Sequence, residues 1–249
     1  MDAHLLIAVL LIGAGIGLLS GAFGKGGSAV STPLLHLVGV PALAAIASPL
    51  PATIPATLLA GRSYAHEGQL DRRVLRLGLL VGMPAAALGA LLTRWIPGGP
   101  LIVATDVLVL GLGLMMLTRS HDRPARPEHA GHLAVALAVV AAVGIISGLL
   151  GNSGGFLLAP LFVSALGMPL HRALGTSLIL SAAIAVPGTI VHALLGHIDW
   201  SVTLAFGLAA VPLATVGARI ALQVKERSLG LAYGAGLATL AAGLLVFAH

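Results

Sequence analysis

Ten apolar runs, over 5–22, 29–39, 42–61, 74–95, 101–118, 133–150, 156–167, 173–191, 202–222 and 229–248, take up most of the chain. Most approach the twenty or so residues a helix needs to cross a hydrocarbon core about 30 Å thick. They are rich in Leu, Ala and Gly and lack the polar–apolar alternation over about ten residues that marks a membrane β-strand. With 58 % hydrophobic and only 8 % charged residues among 249, the chain could not cover the surface of a soluble domain. The runs predict an all-α polytopic membrane protein, with the lipid bilayer as its surroundings.

The few charges fall mainly between the runs. A net charge of +5 is therefore read as orienting the chain in a bilayer rather than as a nucleic-acid surface. Cysteine is absent, which excludes a disulfide, a thiolate metal site and a redox pair. The opening segment Leu5–Leu19 resembles a signal-peptide core but lacks a basic flank, so it is expected to be retained.

The polar stretch 119–131 divides the runs into two sets of five: a first transmembrane repeat over 1–118, a cytoplasmic linker over 119–131 and a second repeat over 132–249. A shift of 127 residues superposes Gly21 on Gly148, Gly24 on Gly151, Gly27 on Gly154 and Pro33 on Pro160. After a one-residue slip, a shift of 128 superposes Pro41 on Pro169, Gly68 on Gly196, Asp71 on Asp199 and Pro84 on Pro212. Such a duplication is a common plan for secondary transporters, with the substrate site where the halves meet.

Runs 29–39 and 156–167 reach only about half the hydrocarbon thickness as helices. Each is expected to return beside the preceding run as an intramembrane broken-helix hairpin, leaving three spanning helices per half and two inverted repeats. That topology gathers the loop Arg and Lys residues from Arg62 to Arg227 on one side and leaves Arg94 on the other. By the positive-inside tendency the basic side is cytoplasmic, and both termini face outward.

Between the legs of each hairpin lies a glycine-rich break, Gly24-Lys-Gly-Gly-Ser28 and Gly151-Asn-Ser-Gly-Gly155. Lipid offers no partner for the backbone groups freed there, so such a break needs surrounding protein or a polar cavity. The breaks, followed by Pro33-Leu34 and Pro160-Leu161, by Gly39-Val-Pro41 and Gly167-Met-Pro169, and by Gly68-Gln-Leu-Asp71 and Gly196-His-Ile-Asp199, resemble the sulfite exporter TauE/SafE family of bacterial membrane permeases. The resemblance spans essentially the whole chain. It implies transport of a small sulfur-containing anion, such as sulfite or an organosulfonate, across the bacterial inner (plasma) membrane without a cofactor. The copies depart from the family's Gly-x-Gly-Gly-Gly pattern at Ser28 and at Asn152-Ser153.

An anion inside a membrane needs hydrogen-bond donors and positive potential, and backbone N–H groups at a broken helix supply both. The candidate site is Gly24, Gly26, Gly27, Ser28, Ser31 and Thr32 against Gly151, Asn152, Ser153, Gly154 and Gly155. The plainer account is that these glycines let helices pack closely. Lys25 either compensates the anion or snorkels to water, and the aligned residue is the uncharged Asn152. Ser48, Thr176 and Ser177, with Thr53, Thr57 and Ser181 beyond them, either line the route or bond back to their own helices. Asp106 is a candidate for proton coupling, or a hydrated carboxylate near the outer interface.

The ten histidines show no convincing metal-ligand spacing, and solvation or one backbone bond accounts for each, His36 and His192 included. Asp71 and Asp199 suit helix caps, and Trp95 and Trp200 suit interfacial anchors. No Walker loop or nucleophile–base set is present, so no enzymatic activity is expected. The rivals to a transporter are a membrane subunit or sensor that binds an anion without moving it, and a channel-like anion pathway.

Overall fold

The computed structural model describes residues 2–23, 28–97, 99–101, 130–151 and 153–225, with isolated positions between 103 and 111 and between 228 and 235. Most of runs 101–118 and 229–248, Asp106 and most of the 119–131 linker lie outside the described residues.

The described residues form nine helices: α1 (Ala3–Phe23), α2 (Ser28–Leu37), α3 (Ala42–Ala47), α4 (Pro49–His66), α5 (Arg72–Leu92), α6 (Ala130–Leu149), α7 (Gly155–Leu166), α8 (Leu170–Leu194) and α9 (Trp200–Gln223). They contain no strand. Five stretches among them are long and apolar enough to cross a membrane: α1, α3 with α4 as Ala42–His66, α5, α8 and α9. The short helices α2 and α7, with 10 and 12 residues, extend roughly 15–18 Å. Large side chains such as Leu80, Leu194 and Leu208 stand exposed on the outer faces, as expected of surfaces that meet lipid. The chain is a multi-pass helical membrane protein.

The helix ends follow local chemistry. Asp71 caps α5 by accepting from the N–H groups of Arg73 and Val74, and Asp199 caps α9 by accepting from those of Ser201 and Val202. Gly68 and Gly196 adopt φ of 69° and 71° in the turns before these caps. Pro41 and Pro169 open α3 and α8 in nearly identical extended conformations. The halves differ at Ser48-Pro49, where the first is divided into α3 and α4 while α8 runs unbroken for 25 residues. Proline lacks an N–H to continue a helix, and Pro49 starts the new one at its first position.

Packing joins the halves rather than separating them. On α1, Gly13, Gly17 and Gly21 recur every fourth residue against the backbone of Phe206, Ala210 and Ala214 on α9. Gly217 of α9 in turn faces the backbone of Leu18. On α6, Gly144 and Gly148 lie against Gly82, Ala85, Ala86 and Ala90 of α5, and Gly89 of α5 faces the backbone of Ile145. Small residues let backbones approach this closely, and dispersion rather than water exclusion then holds the helices together. The first helix of each half thus packs on the last described helix of the other half. Between these pairs α4 meets α8, with the Ile179 side chain seated against Gly61.

Candidate functional site

The connection between α6 and α7 is a helix break inside the protein. Leu150 closes α6 by donating its N–H to the Ile146 carbonyl at 2.9 Å. Gly151 then turns with φ 57° and Gly154 with φ 72°, conformations that L side chains rarely adopt. Neither glycine has room for a side chain. A Cβ at Gly151 would meet the Ile46 side chain of α3 and lie 2.9 Å from its carbonyl oxygen, and one at Gly154 would meet the Ser147 hydroxyl and lie 2.8 Å from a Val143 methyl. The break is therefore enclosed by α6, α7 and a helix of the other half, and Ser153 within it is fully buried.

Gly154 is the N-cap of α7 and has no side chain to satisfy the first turn. Its carbonyl receives the N–H groups of both Leu157 and Leu158 at 3.0 Å. The earlier N–H groups of Gly155 and Phe156 have no carbonyl within the helix and point back toward the break with the positive end of the helix dipole. This is the arrangement that binds anions at helix N-termini. The glycines of the two motif copies serve different ends: Gly21 and Gly148 make close helix contacts, while Gly151 and Gly154 turn the backbone.

Gly24, Lys25, Gly26, Gly27 and Asn152 lie outside the described residues. Ser28 opens α2, and Ser31 and Thr32 are fully buried on that helix. Ser48 and Thr176 form a reciprocal pair. The Ser48 hydroxyl oxygen accepts the N–H of Asp199 at 2.9 Å, and the Thr176 hydroxyl oxygen accepts the N–H of Asp71 at 2.9 Å. The Thr203 hydroxyl donates to the Ser48 carbonyl at 2.7 Å. Each half thus holds the Asp turn of the other through one buried hydroxyl. Ser177 donates to Leu174, Thr53 to Pro49, Thr57 to Thr53 and Ser181 to Ser177, all within their own helices.

A second repeated feature, this one within each half, was not legible beforehand. The Tyr64 hydroxyl, near the end of α4, lies 3.4 Å from the carbonyls of Gly21 and Ala22, ahead of the first break. His192, near the end of α8, donates from Nε2 to the Gly148 carbonyl at 3.3 Å, ahead of the second. Nδ1 of His192 is then the acceptor in its 3.0 Å contact with Nδ1 of His197, which must donate. Burial holds the His197 imidazole below its usual pKa range. The two clamps stand 128 residues apart and reach the aligned glycines Gly21 and Gly148; their differing side chains obscure the match in the sequence. His36 bonds the Val40 carbonyl at 3.1 Å, and among the described residues no three His, Cys, Asp or Glu side chains gather as a metal site.

The family model described as "Sulfite exporter TauE/SafE" matches residues 9–244. A "Probable membrane transporter protein" of Xylella fastidiosa (strain 9a5c) is 30 % identical over 223 residues, covering 86 % of this chain and 84 % of the relative. The "Probable membrane transporter protein YunE" of Bacillus subtilis (strain 168) is 21 % identical over 246 residues, covering 89 % of each chain. No solved structure gives a significant match.

Proposed function

This chain belongs to the sulfite exporter TauE/SafE family, and from that premise we propose that it exports sulfite or a related small sulfur-containing anion across the bacterial inner membrane. The observation that carries the reading is the break at Gly151–Gly154, which turns the N-terminus of α7 into the protein interior with no capping side chain. In this reading the halves are inverted repeats with both termini outside. The two breaks face one volume, where Gly24, Gly26, Gly27, Ser28, Ser31 and Thr32 meet Gly151, Asn152, Ser153, Gly154 and Gly155 around the anion. Lys25 supplies compensating charge from the first break.

Ser48, Thr176 and Ser177 line the route. The oxygens of Ser48 and Thr176 are taken by Asp199 and Asp71 N–H groups, which leaves their hydrogens for an anion, whereas Ser177 spends its hydrogen on Leu174. Alternating access follows from small relative movements across the α4–α8 contact, where the packed pairs α1–α9 and α5–α6 adjoin. An anion leaving alone is driven outward by the inside-negative potential, about 2.3 kcal/mol per charge per 100 mV. Export therefore needs no coupled ion; uptake would need one, and Asp106 is its candidate carboxylate.

The test is sulfite flux in proteoliposomes beside thiosulfate, sulfate and a small sulfonate, with Lys25→Ala in parallel. Saturable sulfite movement impaired by Lys25→Ala supports the transporter and the charged site together. Flux that never saturates indicates a channel-like route. Anion binding without flux indicates a non-transporting subunit, and neither flux nor binding for any of the four anions removes the substrate class.

A further inference from the structure

Buried hydroxyls on these helices ordinarily give their hydrogen to a carbonyl three or four residues back, as Thr53, Thr57, Ser177 and Ser181 do. Ser20 and Ser147 break that pattern. Both are buried, at 2 % and 0 % exposure, and neither hydroxyl has a hydrogen-bond partner among the described residues. An unmet polar group in a protein interior is costly and calls for a reason. The two serines share the 127-residue shift of the glycine motifs, and each immediately precedes the glycine that packs its helix, Gly21 or Gly148.

The place of Ser147 supplies the reason. Its hydroxyl occupies the space a Cβ on Gly154 would need, so it lies against the cap of α7. There the N–H groups of Gly155 and Phe156 also lack a helical acceptor. The hydroxyl and these N–H groups thus belong to the same helix end, and neither α6 nor α7 carries a carboxylate to receive them. Among the described residues no acceptor meets the Ser147 hydroxyl, and a bound ligand would supply one.

We propose that Ser147, with Ser20 at the matching position of the first half, is a substrate-binding residue whose hydroxyl donates to an oxygen of the transported oxyanion. This assignment rests on the anion-transport reading and extends its site by one turn into α1 and α6. A hydroxyl rotates to follow its acceptor, so this group holds an oxygen of any small oxyanion that reaches the break. The emptied site carries an unmet donor, which favours capture of the next anion.

The test is calorimetric titration of sulfite into the purified protein in nanodiscs, comparing wild type with Ser147→Ala, Ser20→Ala and Ser164→Ala. Ser164 serves as the control because its hydroxyl bonds to Leu161 on its own helix. The assignment predicts that Ser147→Ala and Ser20→Ala each bind sulfite roughly tenfold or more weakly, the loss expected for a hydrogen bond to a charged group. Their ligand-free unfolding temperatures should stay level or rise, because a buried donor without a partner has been removed, and Ser164→Ala should bind as wild type does. Wild-type affinity in both serine variants overturns the assignment and leaves the transport reading standing. Weaker binding accompanied by a lower ligand-free unfolding temperature also overturns it, since the hydroxyls are then structural. If the wild type binds neither sulfite nor thiosulfate, sulfate or a small sulfonate, the transport reading falls and the assignment with it.

Discussion

Gly148→Ala and Gly15→Ala make the same chemical change within two helices, and the structure predicts opposite outcomes. At Gly148 the new methyl would meet the Ala86 carbonyl oxygen, with the Ala90 nitrogen at 2.7 Å and the Ala86 carbonyl carbon at 2.8 Å. All three are backbone atoms of α5, so no side chain can rotate away and the two helices must part. Overpacking of this kind costs about 1–3 kcal/mol, and a rigid backbone partner places Gly148 at the upper end. Alanine returns roughly 0.8–1 kcal/mol through its better helix propensity, leaving a net loss of about 2 kcal/mol. At Gly15 nothing lies within 4 Å, so only the propensity gain remains. The variants should differ by about 3 kcal/mol, or roughly 6–12 °C in half-unfolding temperature for a chain of this size. Circular dichroism melts of both proteins in one detergent measure this. Equal melting temperatures would refute the close approach of α5 and α6.

Ser48→Ala and Thr176→Val each remove the acceptor for an Asp-turn N–H of the other half and should cost about 1 kcal/mol apiece in thermal melts. The sites are distinct, so the double variant should show roughly the sum. Asp199→Ala should cost about 1 kcal/mol through loss of the α9 cap, and Asp199→Asn should restore most of it. The lowered pKa of His197 means that the unfolded chain takes up a proton more readily than the folded one. Its contribution to stability is complete above about pH 6.5 and lost as pH falls through the unfolded value toward the folded one. Melting temperature should therefore decline on acidification below neutrality, less steeply in His197→Gln; the same slope in both would contradict the account.

Among the described residues, helix positions and helix ends were largely legible because they rest on local chemistry. Uncharged runs of membrane length, Asp after a Gly-turn and Pro at a helix start each act within a few residues, and the boundaries of α2, α5, α7 and α9 fall within two or three residues of the apolar runs. The duplicated register pairs Asp71 with Asp199, and the same 128-residue shift relates Ser48 to Thr176, but nothing in it tells that each hydroxyl binds the Asp turn of the opposite half. Nor could sequence choose α9 over a nearer helix as the partner of α1. Gly and Ala stripes recur on several helices, and any two could lie together without an obvious penalty. The division of α3 from α4 at Ser48 was visible only as a cluster of prolines. Ser20 and Ser147 escaped notice because a helical serine usually satisfies itself, and only coordinates tell when it does not.

The central claim is that the broken connection between α6 and α7 holds the anion, and the KM for sulfite efflux from proteoliposomes bearing Gly154→Ala tests it most directly. Alanine there is strained at φ 72° and collides with the Ser147 hydroxyl, which disturbs the cap of α7 without touching a lipid-facing surface. The account predicts a protein that still melts cooperatively, with its KM raised at least tenfold or its saturable efflux lost. A folded Gly154→Ala protein exporting sulfite with the wild-type KM would contradict the account.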